Sequence, residues 1–225
     1  SSICLQEDER MKLENFEGYT YVDGGVCAAR GFVANGLNAG INPDKKKNDM
    51  CLVYSQEPCS AAGVYTQNKV KGAPVIVTRE NLKKSHGIAH AILANSKNAN
   101  TCNFDGIEIA EKACRLAADQ LGIKPEEVII GSTGVIGQRL SIQPFEDYMK
   151  PLAEGMTADG NDRAAYAIMT TDTVMKQVAV EFKIGDAVCR MGGMAKGSGM
   201  IHPNMATTLN FLTSDVAITP ELIQK

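Results

Sequence analysis

No apolar run in these 225 residues approaches the ~20 needed to span a bilayer, so no membrane helix is expected. No secretory signal pattern opens the chain. There is no excess of positive charge: 23 basic against 26 acidic residues leave a net charge of −3, which excludes a polybasic nucleic-acid footprint. Internal repeats and low-complexity blocks are missing as well. The seven cysteines are scattered and odd in number, and no two form a Cys-x-x-Cys pair. They read as reduced thiols of a cytoplasmic protein, neither a disulfide frame nor a zinc site. His86 and His90 stand four apart but have no third ligand nearby, so no metal is assigned. What remains is an ordinary globular composition, 44% apolar and 22% charged.

The pattern of apolar residues alternates between strands and helices. Met50 to Val53, Ala61 to Tyr65 and Ala73 to Val77 read as short strands, and Ile88 to Leu93 is an apolar run. Ile107, Ala110, Cys114, Ala117 and Leu121 fall at near-helical spacing, with Gly122 as the stop. Val128 to Ile130 is a buried strand that runs into a glycine loop, and Phe145 to Leu152 looks helical up to Gly155. Val178, Val180, Phe182 and Ile184 alternate before Gly185-Asp186, a hairpin signal. Thr208 to Thr213 forms a last strand. Thr219-Pro220-Glu221 is a helix start that reaches Lys225 after barely one turn, so the sequence is expected to continue beyond it. The leading residues are patternless, and Met11 is a candidate natural start. The class is α/β with mixed sheets layered against helices.

The loop after Val128-Ile129-Ile130 reads GSTGVIG over 131–137. A strand followed by Gly-x-x-Gly-x-x-Gly is compatible with a dinucleotide loop, where backbone approaches a pyrophosphate at a helix N-terminus. Its mid-chain position, the lack of a ribose-binding acid about 20 residues on, and the lack of a Tyr-x-x-x-Lys pair count against that reading. Thr133 and Gly134 could equally form a plain tight turn. The second glycine loop, over 192–199, has Lys196 ahead of its glycine, which is the wrong order for a P-loop.

The most informative stretch is KGSGMIHPNMATTLNF over 196–211, centred on Ala206-Thr207. A threonine hydroxyl is a weak nucleophile at neutral pH without an adjacent base. Its own α-amine, of ordinary pKa near ~8, could be that base once Thr207 is an N-terminus. Attack of Thr207 on the Ala206 carbonyl, a shift from peptide to ester, and hydrolysis would create one.

This stretch resembles the self-cleavage region of the bifunctional ornithine acetyltransferase/N-acetylglutamate synthase family. Three further segments match in order. They are Gly24-Gly25 with Arg30-Gly31-Phe32, the loop Ser132 to Gly137, and Ala167 to Thr173. The asparagine-rich segment, Asn95-Ser96-Lys97-Asn98-Ala99-Asn100, departs from the family by placing lysine where glycine is usual. Lysine does not take a positive φ as cheaply as glycine.

The resemblance implies cleavage between Ala206 and Thr207, with Thr207 as the acetyl-carrying nucleophile. It implies an oxyanion hole from Thr133 and Gly134, and substrate contacts from Thr170, Lys196 and Thr207. Thr171 and Thr173 lie close enough to compete with Thr170, Asp172 could be a cap, and Lys196 could be a solvated surface lysine. The implied chemistry is ping-pong transfer of acetyl from N-acetylornithine to glutamate in arginine biosynthesis, with no cofactor and with acetyl-CoA as a candidate second donor. The implied assembly has two α and two β chains. On that pattern residues 1–20 are a tail, 21–206 the α portion, and 207–225 the start of the β portion. Two other readings stay open. One is a self-processing aminopeptidase of similar fold, which peptide substrates would reveal. The other is a non-catalytic half, active only with the remainder, so that residues 1–225 alone would show little transfer.

Overall fold

The computed structural model describes residues 17–199 and 208–225. Among them eight strands form two four-stranded sheets. The first sheet holds β2 (Phe32–Leu37), β3 (Met50–Ser60), β4 (Ile88–Asn95) and β5 (Val128–Ser132), in that order. Its pairs are antiparallel except β4 with β5, which run parallel. The second sheet holds β1 (Tyr19–Tyr21), β6 (Lys176–Ile184), β7 (Ala187–Lys196) and β8 (Leu209–Ser214), antiparallel throughout. Strand β1 takes in Tyr19 and Thr20, which the sequence reading placed in the tail. The Gly185-Asp186 turn joins β6 to β7 as expected, with Gly185 at φ +60°.

Neighbouring side chains on a strand point to opposite faces, and in the first sheet both faces are buried. Met50 and Leu52 of β3, Ala91 and Leu93 of β4, and Val128 and Ile130 of β5 pack against three helices. These are α1 (Ala73–Lys84), α2 (Gly106–Leu121) and α3 (Gln143–Glu154). The intervening Cys51, Val53, Ile92 and Ala94 face a second core. That core is shared with Val26, Met194 and Phe211 from the side of the second sheet, and with Ala164, Ala165, Ala167 and Ile168 at α4 (Asn161–Ala167). Phe145, Met149 and Leu152 of α3 are each 2% exposed or less. Burial on that scale stabilises by roughly 1.5–3 kcal/mol per large side chain. The α2 face is built of alanines, so the helix lies close to its neighbours, and Gly122 ends it in the left-handed conformation at φ +68°.

Two expected strands are absent. Residues 61–65 have no regular structure, and β3 ends at Ser60. Ala73 to Val77 opens helix α1 instead. Pro74 sits in its first turn, where a missing N–H costs nothing. The β-branched run is overridden by the polar residues after it. Thr78 Oγ1 donates to the Ile130 carbonyl (2.8 Å) and accepts from the Ile130 N–H (2.9 Å). Asn81 Nδ2 donates to the Val128 carbonyl (2.9 Å). Both side chains are buried. Helix α1 thus satisfies the outer edge of β5, a row of backbone groups that would otherwise invite another strand.

Candidate active site

Strands β4 and β5 run parallel and finish together, with Asn95 beside Ser132. The asparagine-rich segment and the glycine loop leave the sheet at the same point and stay paired. Asn98 bridges to Thr133 and Val135. The Val135 N–H donates to the Lys97 carbonyl (3.0 Å), and the Ala99 N–H to the Val135 carbonyl (2.9 Å). Thr133 is 6% exposed, and its hydroxyl has no hydrogen-bond partner among the described residues. Gly134 sits at φ +131°, and a Cβ there would collide with the Lys97 carbonyl, so only glycine fits. The loop is therefore more constrained than a generic tight turn.

The family departure is accommodated at a backbone cost. Lys97 adopts φ +74°, and Asn100 and Cys102 are left-handed as well. A left-handed non-glycine residue costs on the order of 1 kcal/mol, partly offset by its lower unfolded-state entropy relative to glycine. Lys97→Gly should therefore raise stability, by on the order of 0.5 kcal/mol. A denaturant midpoint equal to or below that of the parent would show that the lysine conformation is not strained.

The second sheet contributes the other candidates. Lys196 ends β7, opposite Leu209 of β8. It is 5% exposed, so it is not a solvated surface lysine. Its Nζ donates to the Gly197 carbonyl (2.8 Å). Burial pulls its pKa below the ordinary lysine value, with the Asp172 charge opposing and the Lys176 charge adding. Asp172 is the organising group here, and its side chain is 2% exposed. Its carboxylate accepts from Lys176 Nζ (2.7 Å), the Gly197 N–H (2.8 Å) and the Thr170 N–H (3.3 Å). It follows α4 and caps no helix. Instead it fastens the Thr170 segment to the turn after Lys196.

Burial raises the Asp172 pKa, but the bonds from Lys176, Gly197 and Thr170 outweigh it, and the net value lies below 3.8. A depressed carboxylate pKa contributes stability that is present above the unfolded value and lost as pH falls through the folded one. Asp172→Asn should thus cost on the order of 1–3 kcal/mol at neutral pH. Denaturant melts should show that difference shrinking only below about pH 3.8. A pH-independent difference would refute the ionic role.

Strand β8 brings the two halves together. A Cβ on Gly131 would lie 2.9 Å from Phe211 Cζ and 3.5 Å from Leu209 Cδ2, so β8 crosses β5 just before Ser132 and Thr133. Gly199 lies against Thr171. Thr133 and Gly134 come from one sheet, Lys196 and Thr170 from the other side of the joint. Ala206 and Thr207 lie outside the described residues. The opening motif holds the joint itself. Thr213 Oγ1 donates to the Val26 carbonyl (2.8 Å), and Arg30 Nε meets Asp215 Oδ2 at 2.9 Å. Among the described residues no group of three or more His, Cys, Asp or Glu side chains could hold a metal ion. His86 lies in the turn after α1 and His90 on β4, where it stacks on Tyr54. Burial pushes the thiols of Cys27, Cys51 and Cys114 up, to about 11, 12 and 12. Three residues with site contacts carry no assigned role in the sequence reading. Lys176, the partner of Asp172, carried no motif; Asn95 and Ser132 stood inside quoted motifs without an assigned role.

Fold and site together define a mixed α/β protein of two sheets, with candidate polar groups near their joint and β8, the edge strand of the second sheet, packed against β5 there. The ArgJ family model matches residues 33–225, and the chain belongs to the ArgJ family. It is 46% identical over 205 residues to the arginine biosynthesis bifunctional protein ArgJ of Gloeobacter violaceus, covering 91% of this chain and 50% of that protein. The chain spans about half the length of the curated relatives it matches. A crystal structure of ArgJ from Bacillus halodurans superposes with a TM-score of 0.76 at 36% identity, covering 84% of this chain and 98% of the other. Ornithine acetyltransferase from Mycobacterium tuberculosis, solved in complex with ornithine, gives 0.76 at 37%, covering 84% and 100%. No described helix is long and apolar enough to cross a membrane.

Proposed function

We propose that this chain carries the nucleophile and oxyanion-hole portion of an acetyltransferase of arginine biosynthesis, moving acetyl from N-acetylornithine to glutamate. The observation that carries the reading is the convergence at one joint of the Thr133-Gly134 loop, the Asp172-anchored Thr170 segment and buried Lys196, with β8 leading directly from Thr207. Thr207 attacks the acetyl carbonyl, ornithine leaves, and the acetyl-threonine ester is passed to the glutamate amine. Negative charge on the acetyl oxygen during both steps calls for preorganised donors, which the Thr133 hydroxyl and the Gly134 N–H supply. Lys196, a buried cation, suits a substrate carboxylate. Its charge also favours the neutral amine of Thr207 after cleavage at Ala206.

The ornithine-bound relative supports the substrate class, and an assembly of two α and two β chains in the cytoplasm is part of the same proposal. The test is transfer of labelled acetyl from N-acetylornithine to glutamate by the full-length protein, with acetyl-CoA offered separately as donor. Hydrolysis of peptides without acetyl transfer would replace this reading with the aminopeptidase one.

A further inference from the structure

We propose that Asn95 is a positioning residue that sets the direction of both oxyanion donors, an inference that rests on the acetyl-transfer reading of the Thr133-Gly134 loop. Asn95 is the last residue of β4 and is 1% exposed. Three of its polar groups are committed to the two segments that form the loop. Its side-chain carbonyl accepts from Ser132 Oγ at 2.6 Å. Its amide nitrogen donates to the carbonyls of Asn98 (2.9 Å) and Ser96 (3.1 Å). Its backbone carbonyl accepts from the Thr133 N–H at 3.0 Å.

The residues it grips are the ones that aim the donors. Ser132 and the Thr133 N–H fix the peptide from which the Thr133 hydroxyl projects. Asn98 pairs with Thr133 and Val135, on either side of Gly134. Asn98 is itself held, donating to the Gln138 carbonyl (2.9 Å) and accepting from the Asn100 N–H (2.8 Å). Asn95 links this network back into the sheet at the end of β4, beside Ser132 at the end of β5.

The site also selects a carboxamide. One side-chain atom must accept from Ser132 while the other donates to two carbonyls, a split that asparagine alone among the short side chains satisfies. An aspartate of the same shape would set a carboxylate oxygen against the carbonyls of Ser96 and Asn98, both buried. Donors in an oxyanion hole act by being fixed before the charge develops, so displacement of ~1 Å is enough to slow the reaction by 10²-fold.

The experiment is a double-mutant cycle in the full-length protein, joined to amide hydrogen exchange. Asn95→Ala is expected to lower kcat by about 10–10²-fold with KM nearly unchanged, and Asn95→Asp should do no better. In a Thr133→Val background, Asn95→Ala should cost less than it does alone, because the donor it positions is already gone. The Thr133 and Val135 amides, bonded to the Asn95 and Lys97 carbonyls, should exchange faster in Asn95→Ala while the β3–β4 amides stay protected. Losses that multiply in full, a rise confined to KM, or full activity in Asn95→Asp would overturn the proposal. So would unchanged protection of the Thr133 and Val135 amides, whatever the activity. A neutral Thr133→Val would instead remove the oxyanion reading, leaving exchange to judge Asn95. Should Asn95→Ala not fold, Ser132→Ala removes one bond of the same set and carries the same readouts, with the same directions expected.

Discussion

Thr207→Ala in the full-length protein should leave one uncut chain with no acetyl transfer. On the proposed reading, cleavage and catalysis ask for the same hydroxyl, first as attacker of the Ala206 carbonyl and then as acetyl carrier. The α-amine that would serve as base exists only after cleavage, so the alanine variant loses nucleophile and base at once. Removing the nucleophile of an acyl-transfer enzyme costs on the order of 10⁶-fold in kcat, which brings turnover to the detection limit of an ordinary assay. A denaturing gel and an acetyl-transfer assay read the two outcomes independently. Two chains on the gel would sink the assignment of Thr207 as the cleaving nucleophile. One chain with residual transfer would separate cleavage from catalysis and return the carrier role to another side chain.

Thr133→Val is the second large effect. Valine keeps the β-branched shape, so a 6% exposed side chain stays packed while its hydroxyl is lost. If that hydroxyl donates to the developing oxyanion, kcat should fall on the order of 10²–10³-fold, or roughly 2.7–4 kcal/mol of barrier, with modest change in KM. On the same reading Gly134 would still supply its N–H, which is why the loss should stop short of that for Thr207→Ala. A rise in KM at constant kcat would mean that the loop holds substrate in its ground state and does not stabilise charge.

Much of this arrangement was legible in the sequence because its signals are local. The helix at Gly106–Leu121 declared itself by spacing and by the glycine that ends it, and the β6–β7 hairpin by alternation around Gly185-Asp186. The loop after β5 was visible because its glycines serve backbone geometry, as the collision at Gly134 shows. Helix α1 was misread because Val75, Ile76 and Val77 favour a strand taken alone. Thr78 and Asn81 override them through bonds to residues about 50 positions away in sequence. Strands β1 and β2 and helix α4 have short or mixed patterns and gain their form from the joint they pack into. A cap stays open for Asp172 in the sequence because a carboxylate is visible there without Lys176 and Gly197 around it. For Lys196 the sequence leaves a surface lysine open beside the substrate-binding role for the same reason: burial is a property of the assembled sheets.

The two-sided burial of β3 and β4 separates the residues of one strand into two audiences. Met50, Leu52, Ala91 and Leu93 answer to the helix layer, while Cys51, Val53, Ile92 and Ala94 answer to the joint where the candidate site is gathered. Adjacent positions thus belong to different mutational neighbourhoods, although they share a backbone and nearly the same depth. Thinning the helix side should loosen the molecule as a whole while leaving the chemistry of whatever stays folded intact. Thinning the joint side should be felt in turnover before it is felt in melting. Along these strands, sequence parity therefore sorts substitutions by the property they disturb, abundance on one face and rate on the other.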